Sequence, residues 1–145
     1  MIVFEKHDDI VCSELQTLVC PVNTKGVMGA GLAAYFKSKF PALLVDYRRA
    51  CLNDVLVSKG YSVHNVNSRK ILCLPTKREW WDPSKLEYIE FSLEAIAKTY
   101  QEHEITSLAM PAIGCGRGGL EWSDVKPLIY KYLDPLELPV GIYLP

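Results

Sequence analysis

The chain has 145 residues, 49% of them hydrophobic and 23% charged, with a formal net charge of −1. That is the size and composition of one globular domain able to bury its own core. The near-neutral balance excludes a basic face for gripping long nucleic acid, and no apolar run approaches the ~18 residues of a membrane-spanning helix.

The elements predicted in chain order alternate. "MIVFE" (1–5) is short, apolar and β-branched, and reads as a strand. "TLVCPV" (17–22) reads as a second, buried strand that ends or bulges at Pro21. A glycine-rich loop follows, then "AGLAAYFKSKF" (30–40), with Leu32, Tyr35, Phe36 and Phe40 at helical spacing. Pro41 stops that helix and opens the next, "ALLVDYRRACLND" (42–54). "YSVHNVN" (61–67) and "RKILCLPT" (69–76) form a strand pair around a tight turn.

The longest predicted helix covers 82–103, with Asp82 as N-cap, Pro83 at its first position and a stripe of Leu86, Ile89, Leu93, Ile96 and Tyr100. "ITSLAMPAIG" (105–114) is a further buried strand, running into a second glycine loop, "GCGRGGL" (114–120). A helix over 121–133 contains Pro127, which kinks it or shifts its start. "LPVGIYLP" (138–145) closes as a strand. Strands alternating with helices predict an α/β sandwich around a parallel or mixed sheet, with ligands at the carboxyl ends of its strands.

Both glycine loops follow strands, so both belong on that rim. Two readings of each stand: a tight strand-to-helix turn, or a nest of backbone N–H groups that holds an anion. Two nests on one rim suit a diphosphate. Neither loop has the Lys-Ser or Lys-Thr ending of a nucleotide-binding P-loop, and G-x-G-x-x-G is absent.

Other residues are read with both possibilities open. Asp9, just after the first strand, either caps a short turn or accepts a hydrogen bond from a ligand amino group. Lys77 is a surface lysine or a nucleophile. Trp80 and Trp81 either cover the long helix or offer a base-stacking platform. Cys115 is a small packing side chain or a thiol nucleophile, and Tyr143 is expected in the core. The five cysteines are odd in number and show no C-x-x-C spacing, and His7, His64 and His103 lie in different elements. Reduced thiols, no metal site, no cofactor and a cytoplasmic protein are therefore expected. No cleavable leader is read at Met1–Glu5.

The ordered set "HDDI", "CPVNTKGVMGAGLAAYFKSKFP", "LPTKREWW" and "MPAIGCGRGGLEW" resembles a macrodomain, the ADP-ribose-binding fold. It is most similar to the branch of DNA ADP-ribosyl glycohydrolase antitoxins and terminal ADP-ribose protein glycohydrolases. The resemblance spans nearly the whole chain and implies a three-layer α/β/α domain with a mixed, largely parallel central sheet. It implies that Asp9 and Ile10 meet the adenine and that Asn23 orients the distal ribose. Gly26, Val27, Met28, Gly29 and Gly31 would surround that ribose and the phosphates. Thr76 would join the binding set, and Ile113, Gly114, Cys115, Gly116, Arg117 and Gly118 would form the second phosphate loop.

Lys77 would act at the anomeric carbon, as a nucleophile or by stabilising charge, with Asn23 beside it. Arg78, next in sequence, points to the opposite face and is not expected to assist. The implied activity is removal of ADP-ribose from a modified target, DNA favoured. The alternatives are a non-catalytic ADP-ribose reader, or a hydrolase of modified protein, of ADP-ribose-1″-phosphate or of an O-acetyl ester. Two departures bear on this. Protein-directed members carry an Asp near the position of Gly118, where this chain is closer to the DNA-directed members. The antitoxins also carry a further domain, so a stand-alone monomer is expected here.

Overall fold

A computed structural model describes all 145 residues. Six strands form one sheet: β1 (Ile2–His7), β2 (Thr17–Val22), β3 (Ser62–Val66), β4 (Arg69–Pro75), β5 (Leu108–Pro111) and β6 (Val140–Leu144). Their order is β1-β6-β5-β2-β4-β3. All pairs are parallel except β3–β4, the expected hairpin. Its turn, Asn67–Ser68, has both residues at positive φ, the backbone of a tight primed turn.

The helices cover both faces, and strand alternation divides the core between them. Leu18, Cys20, Ile71 and Cys73 face α1 (Gly31–Lys39), α2 (Leu43–Leu52) and α3 (Val55–Lys59), where Phe36, Leu43, Tyr47 and Leu56 are buried. Val19, Leu72, Leu74, Met110 and Ile142 face α4 (Leu86–Thr99) and α5 (Trp122–Leu133), packed on Ile89, Leu93, Ile96, Val125 and Ile129. The mixed three-layer sandwich is the one expected from the sequence. No helix is long and apolar enough to cross a membrane.

Two boundaries differ from expectation. The helix predicted from Asp82 begins at Leu86, after an extended Lys85. The cause is long-range: Ser84 N–H donates to the Gly118 carbonyl (3.0 Å) and Lys85 N–H to that of Thr76 (3.0 Å). Residues 82–85 therefore tie the second glycine loop to the end of β4 and are not free to start a helix. The helix read as 42–54 stops at Leu52. A left-handed Asp54 (φ 59°) then turns the chain into the short α3, which ends at Gly60 (φ 89°). Pro127 lies inside α5, which continues through it.

Candidate functional site

The carboxyl ends of β1, β2, β4, β5 and β6 open into one cleft of about 1130 Å³, the capacity of a dinucleotide-sized ligand. Both glycine loops line it, as the sheet topology requires of loops that leave parallel strands.

The first loop is folded by Asn23, which is 4% exposed. Its Oδ1 accepts from Lys25 N–H (2.9 Å), Val27 N–H (3.4 Å) and the buried Tyr47 hydroxyl (2.9 Å), and its Nδ2 donates to the Val27 carbonyl (2.8 Å). An Asn amide has two N–H donors, so one remains for a ligand. Desolvation above all pushes the Tyr47 hydroxyl far up, which fixes it as a neutral donor. The loop ends at α1 with Ala30 as N-cap and no side-chain cap. The backbone N–H groups of Gly29 through Ala33 have no partner in the protein, and those residues line the cleft. An unsatisfied helix N-terminus is a site for anionic oxygen.

The second loop is built the same way from the opposite wall. Leu120 N–H closes it on the Gly114 carbonyl (2.9 Å) and Gly119 N–H on that of Gly116 (3.2 Å). Gly114, Gly116, Arg117 and Gly118 keep unpartnered N–H groups. Gly114 has φ +74°, which L side chains rarely adopt. Gly118 is held by space instead: an added Cβ would fall 2.2 Å from Ser84 Oγ and 2.5 Å from the Gly114 carbonyl oxygen. The two loops meet where Arg117 lies over the start of α1, its Cδ 3.5 Å from where a Cβ on Gly31 would sit. A diphosphate between them would be held mainly by backbone dipoles, with the Arg117 guanidinium above.

At the end nearest β1, Asp9 has the capping role that the sequence left open and also faces the cleft. It caps a short 3-10 turn by accepting from Val11 N–H (2.9 Å), and it lines the cleft beside Ile10. The Tyr35 hydroxyl donates to its second oxygen (2.5 Å) and is the main cause of a carboxyl held below its ordinary value. Each oxygen still has a free lone pair.

At the other end, Thr76 and Lys77 follow β4. Lys77 is half-buried in the cleft wall, and its ammonium makes no hydrogen bond or ion pair within the protein. By contrast Lys25, on the first loop, pairs with Glu79 (3.6 Å). Arg78 turns away as expected, with its guanidinium 4.5 Å over the Tyr88 ring. Trp80 and Trp81 do not cover the long helix. They are 58% and 63% exposed, meet edge to face at 5.4 Å, and line the cleft.

Several predicted residues sit elsewhere. Gly26, Met28 and Ile113 do not line the cleft. Met28 and Ile113 are 2% and 0% exposed and pack into the two halves of the core, one on each side of the sheet. Gly26 has φ +82° and its carbonyl accepts from Arg48 Nε (2.9 Å). Cys115 lines the cleft, but burial first and the Glu121 charge second push its thiol up, so it is a poor nucleophile. Tyr143, expected in the core, is 5% exposed and also borders the cleft. Tyr35, Tyr47 and Ser84 were missed, because each supports the site across a sequence gap that carries no local signal.

Comparison with known proteins agrees with this geometry. The Macro domain family model matches residues 19–129. A DNA ADP-ribosyl transferase–DNA ADP-ribosyl glycohydrolase fusion protein of Thermosipho africanus is 42% identical, over 94% of this chain and 40% of its own length. The solved macrodomain of Thermus aquaticus DarG is 36% identical, with a TM-score of 0.89 over 100% of this chain and 99% of that one. Thermosipho africanus DarTG, solved in complex with ADP-ribose, is 41% identical with a TM-score of 0.86, over 94% of this chain and 40% of that one. The chain thus spans about two fifths of the length of the fusion protein it matches.

Proposed function

Because this chain belongs to the Macro domain family, we propose that it binds ADP-ribose in the cleft and hydrolyses the bond joining its distal ribose to a modified nucleobase of DNA. The observation that carries the proposal is Lys77: an ammonium without a partner, in the wall of a cleft whose two ends suit an adenine and a diphosphate. Asp9 would accept from the adenine amino group. The N-terminus of α1 and the Gly114–Gly118 loop would hold the two phosphates. The free N–H of Asn23 would orient the distal ribose.

Lys77 would then meet the anomeric carbon. As a neutral amine it displaces the base at the anomeric carbon, the base leaving with the proton that the amine gives up, and the resulting ribosylamine opens to an imine that water cleaves to free ADP-ribose and Lys77; as a cation it stabilises charge on the departing base. The fusion protein that resembles this chain is named for the same activity on DNA, and the Thermosipho africanus DarTG structure holds ADP-ribose. DNA is favoured over protein for two reasons. The second loop has no room at Gly118 for the carboxylate that the protein-directed branch carries there. The exposed Trp80–Trp81 pair at the cleft mouth offers an aromatic surface on which a base stacks for about 1–3 kcal/mol.

Five free cysteines suit a reducing compartment, and a cytoplasmic monomer is the proposed form. The deciding experiment offers ADP-ribosylated DNA, ADP-ribosylated protein and ADP-ribose-1″-phosphate side by side to the wild type and to Lys77→Ala. Release of ADP-ribose from the DNA by the wild type, lost in the variant, is expected. Tight ADP-ribose binding with no release from any substrate would make the protein a reader.

A further inference from the structure

A second pocket of about 120 Å³ shares one residue with the cleft, Lys77, and opens on its far side between the end of β4, α3 and α4. Nine residues line it, two of them cations and none acidic. Arg78 lies at its mouth, over the Tyr88 ring and free of any carboxylate, and Lys85 approaches the same ring at 5.6 Å. The aromatic side of the mouth is Phe91, 50% exposed, with Val57 beside it at 38%. At its base lies Ser92, fully buried, whose hydroxyl is the one buried side-chain polar atom in the protein with no hydrogen-bond partner. A native fold rarely leaves such a group unmatched unless something else supplies the partner.

Positive charge without a neutralising acid, an exposed aromatic face and an unmatched hydroxyl at depth together describe an anionic ligand with a flat, polar-edged ring. We infer that this pocket receives a nucleotide of the target strand next to the modified one. Its base lies against Phe91 with an edge toward the Ser92 hydroxyl, and its phosphate sits against Arg78. The inference rests on the reading of DNA as target. A strand that presents one nucleotide to Lys77 from the cleft and leaves over the Lys77–Arg78 segment meets this pocket next, since Lys77 lines both. Trp80 and Trp81 stand on the cleft side of that crossing, and Phe91 and Tyr88 on the other.

The test is binding of a short, unmodified single-stranded DNA to protein supplied with ADP-ribose, followed by fluorescence anisotropy. Phe91→Ala is expected to weaken binding about 5- to 150-fold, the range for loss of one stacked base. An abasic strand of equal length is expected to bind the wild type and Phe91→Ala alike. Ser92→Ala should also weaken the strand, while its unfolding midpoint stays at or above the wild-type value, since it removes an unmatched hydroxyl. Equal strand binding by wild type and Phe91→Ala overturns the inference, as does no strand binding by the wild type. Equal wild-type affinity for the abasic and base-bearing strands also overturns it, since charge alone then accounts for binding. Hydrolysis of ADP-ribosylated DNA is scored separately. A protein that binds the strand through Phe91 yet releases no ADP-ribose loses the proposed activity and keeps the pocket.

Discussion

Gly118→Ala tests how the second loop is held. At Gly118 the backbone is not in the left-handed region, so an alanine meets no conformational penalty there. The obstacle is space: its Cβ would lie 2.2 Å from Ser84 Oγ, 2.8 Å from Ser84 Cβ and 2.5 Å from the Gly114 carbonyl oxygen. Ser84 cannot simply rotate away, because its hydroxyl donates to Thr76 Oγ1 (2.9 Å) and its N–H to the Gly118 carbonyl (3.0 Å). Forcing a methyl into such a site costs about 1–3 kcal/mol, and each hydrogen bond lost with it about 1 kcal/mol. The expected destabilisation is about 3 kcal/mol, a fall in Tm on the order of 10 °C for a domain of this size.

Gly116→Ala is the matched control. It lies two residues away in the same loop, also outside the left-handed region, and its added Cβ meets nothing within 4 Å. It should stay within about 0.5 kcal/mol of wild type. Urea unfolding with a common m-value measures both. Two variants of equal stability would refute the claim that residues 82–85 and the second loop form one packed unit.

Tyr47→Phe removes the donor that Asn23 shares between its carbonyl and its Oδ1, so it should cost about 1–2 kcal/mol in urea unfolding and also weaken ADP-ribose in calorimetry. Lys77→Ala should lower release of ADP-ribose from DNA by roughly 10²–10⁴-fold while calorimetry still finds ADP-ribose bound; borohydride trapping with mass spectrometry then decides between an imine at Lys77 and a purely electrostatic role. His64 is held above its ordinary value: burial opposes the imidazolium, and Cys73 and the Asp46 carboxylate 2.7 Å away outweigh it. The raised His64 value adds stability that is complete below the unfolded value of about 6.5 and fades as pH rises through the folded one, while the lowered Cys73 thiol contributes in the opposite sense, so the direct readout is the NMR titration midpoint of His64, which Asp46→Asn should lower. Tyr35→Phe should raise the NMR titration midpoint of Asp9 toward the ordinary carboxyl value, because the phenol is the main group holding it down.

What the sequence displayed and what it concealed divide along the range of the interaction involved. Strands and helices were legible where the apolar pattern is local, and the cleft was legible because a glycine loop after a buried strand has few places to go. Where a loop residue faces is decided elsewhere. Met28 sits between Gly26 and Gly29 in the first glycine loop, yet it packs with Phe36 and Tyr47 in the core. The start of α4 moved because its first N–H groups found carbonyls at Thr76 and Gly118. Asn23 shows the consequence for function. The resemblance to macrodomains implies a ribose contact for it, but three donors on its Oδ1 and one bond from its Nδ2 make it first the residue that folds the loop. Loss of binding in an Asn23 variant therefore reports the shape of the whole α1 entrance. Asn23→Asp keeps an acceptor for Lys25 N–H and Tyr47, but it removes both the N–H left for a ligand and the one that donates to the Val27 carbonyl. A variant that stays folded and loses ADP-ribose assigns the free N–H to the ligand; one that loses stability as well assigns Asn23 to the loop.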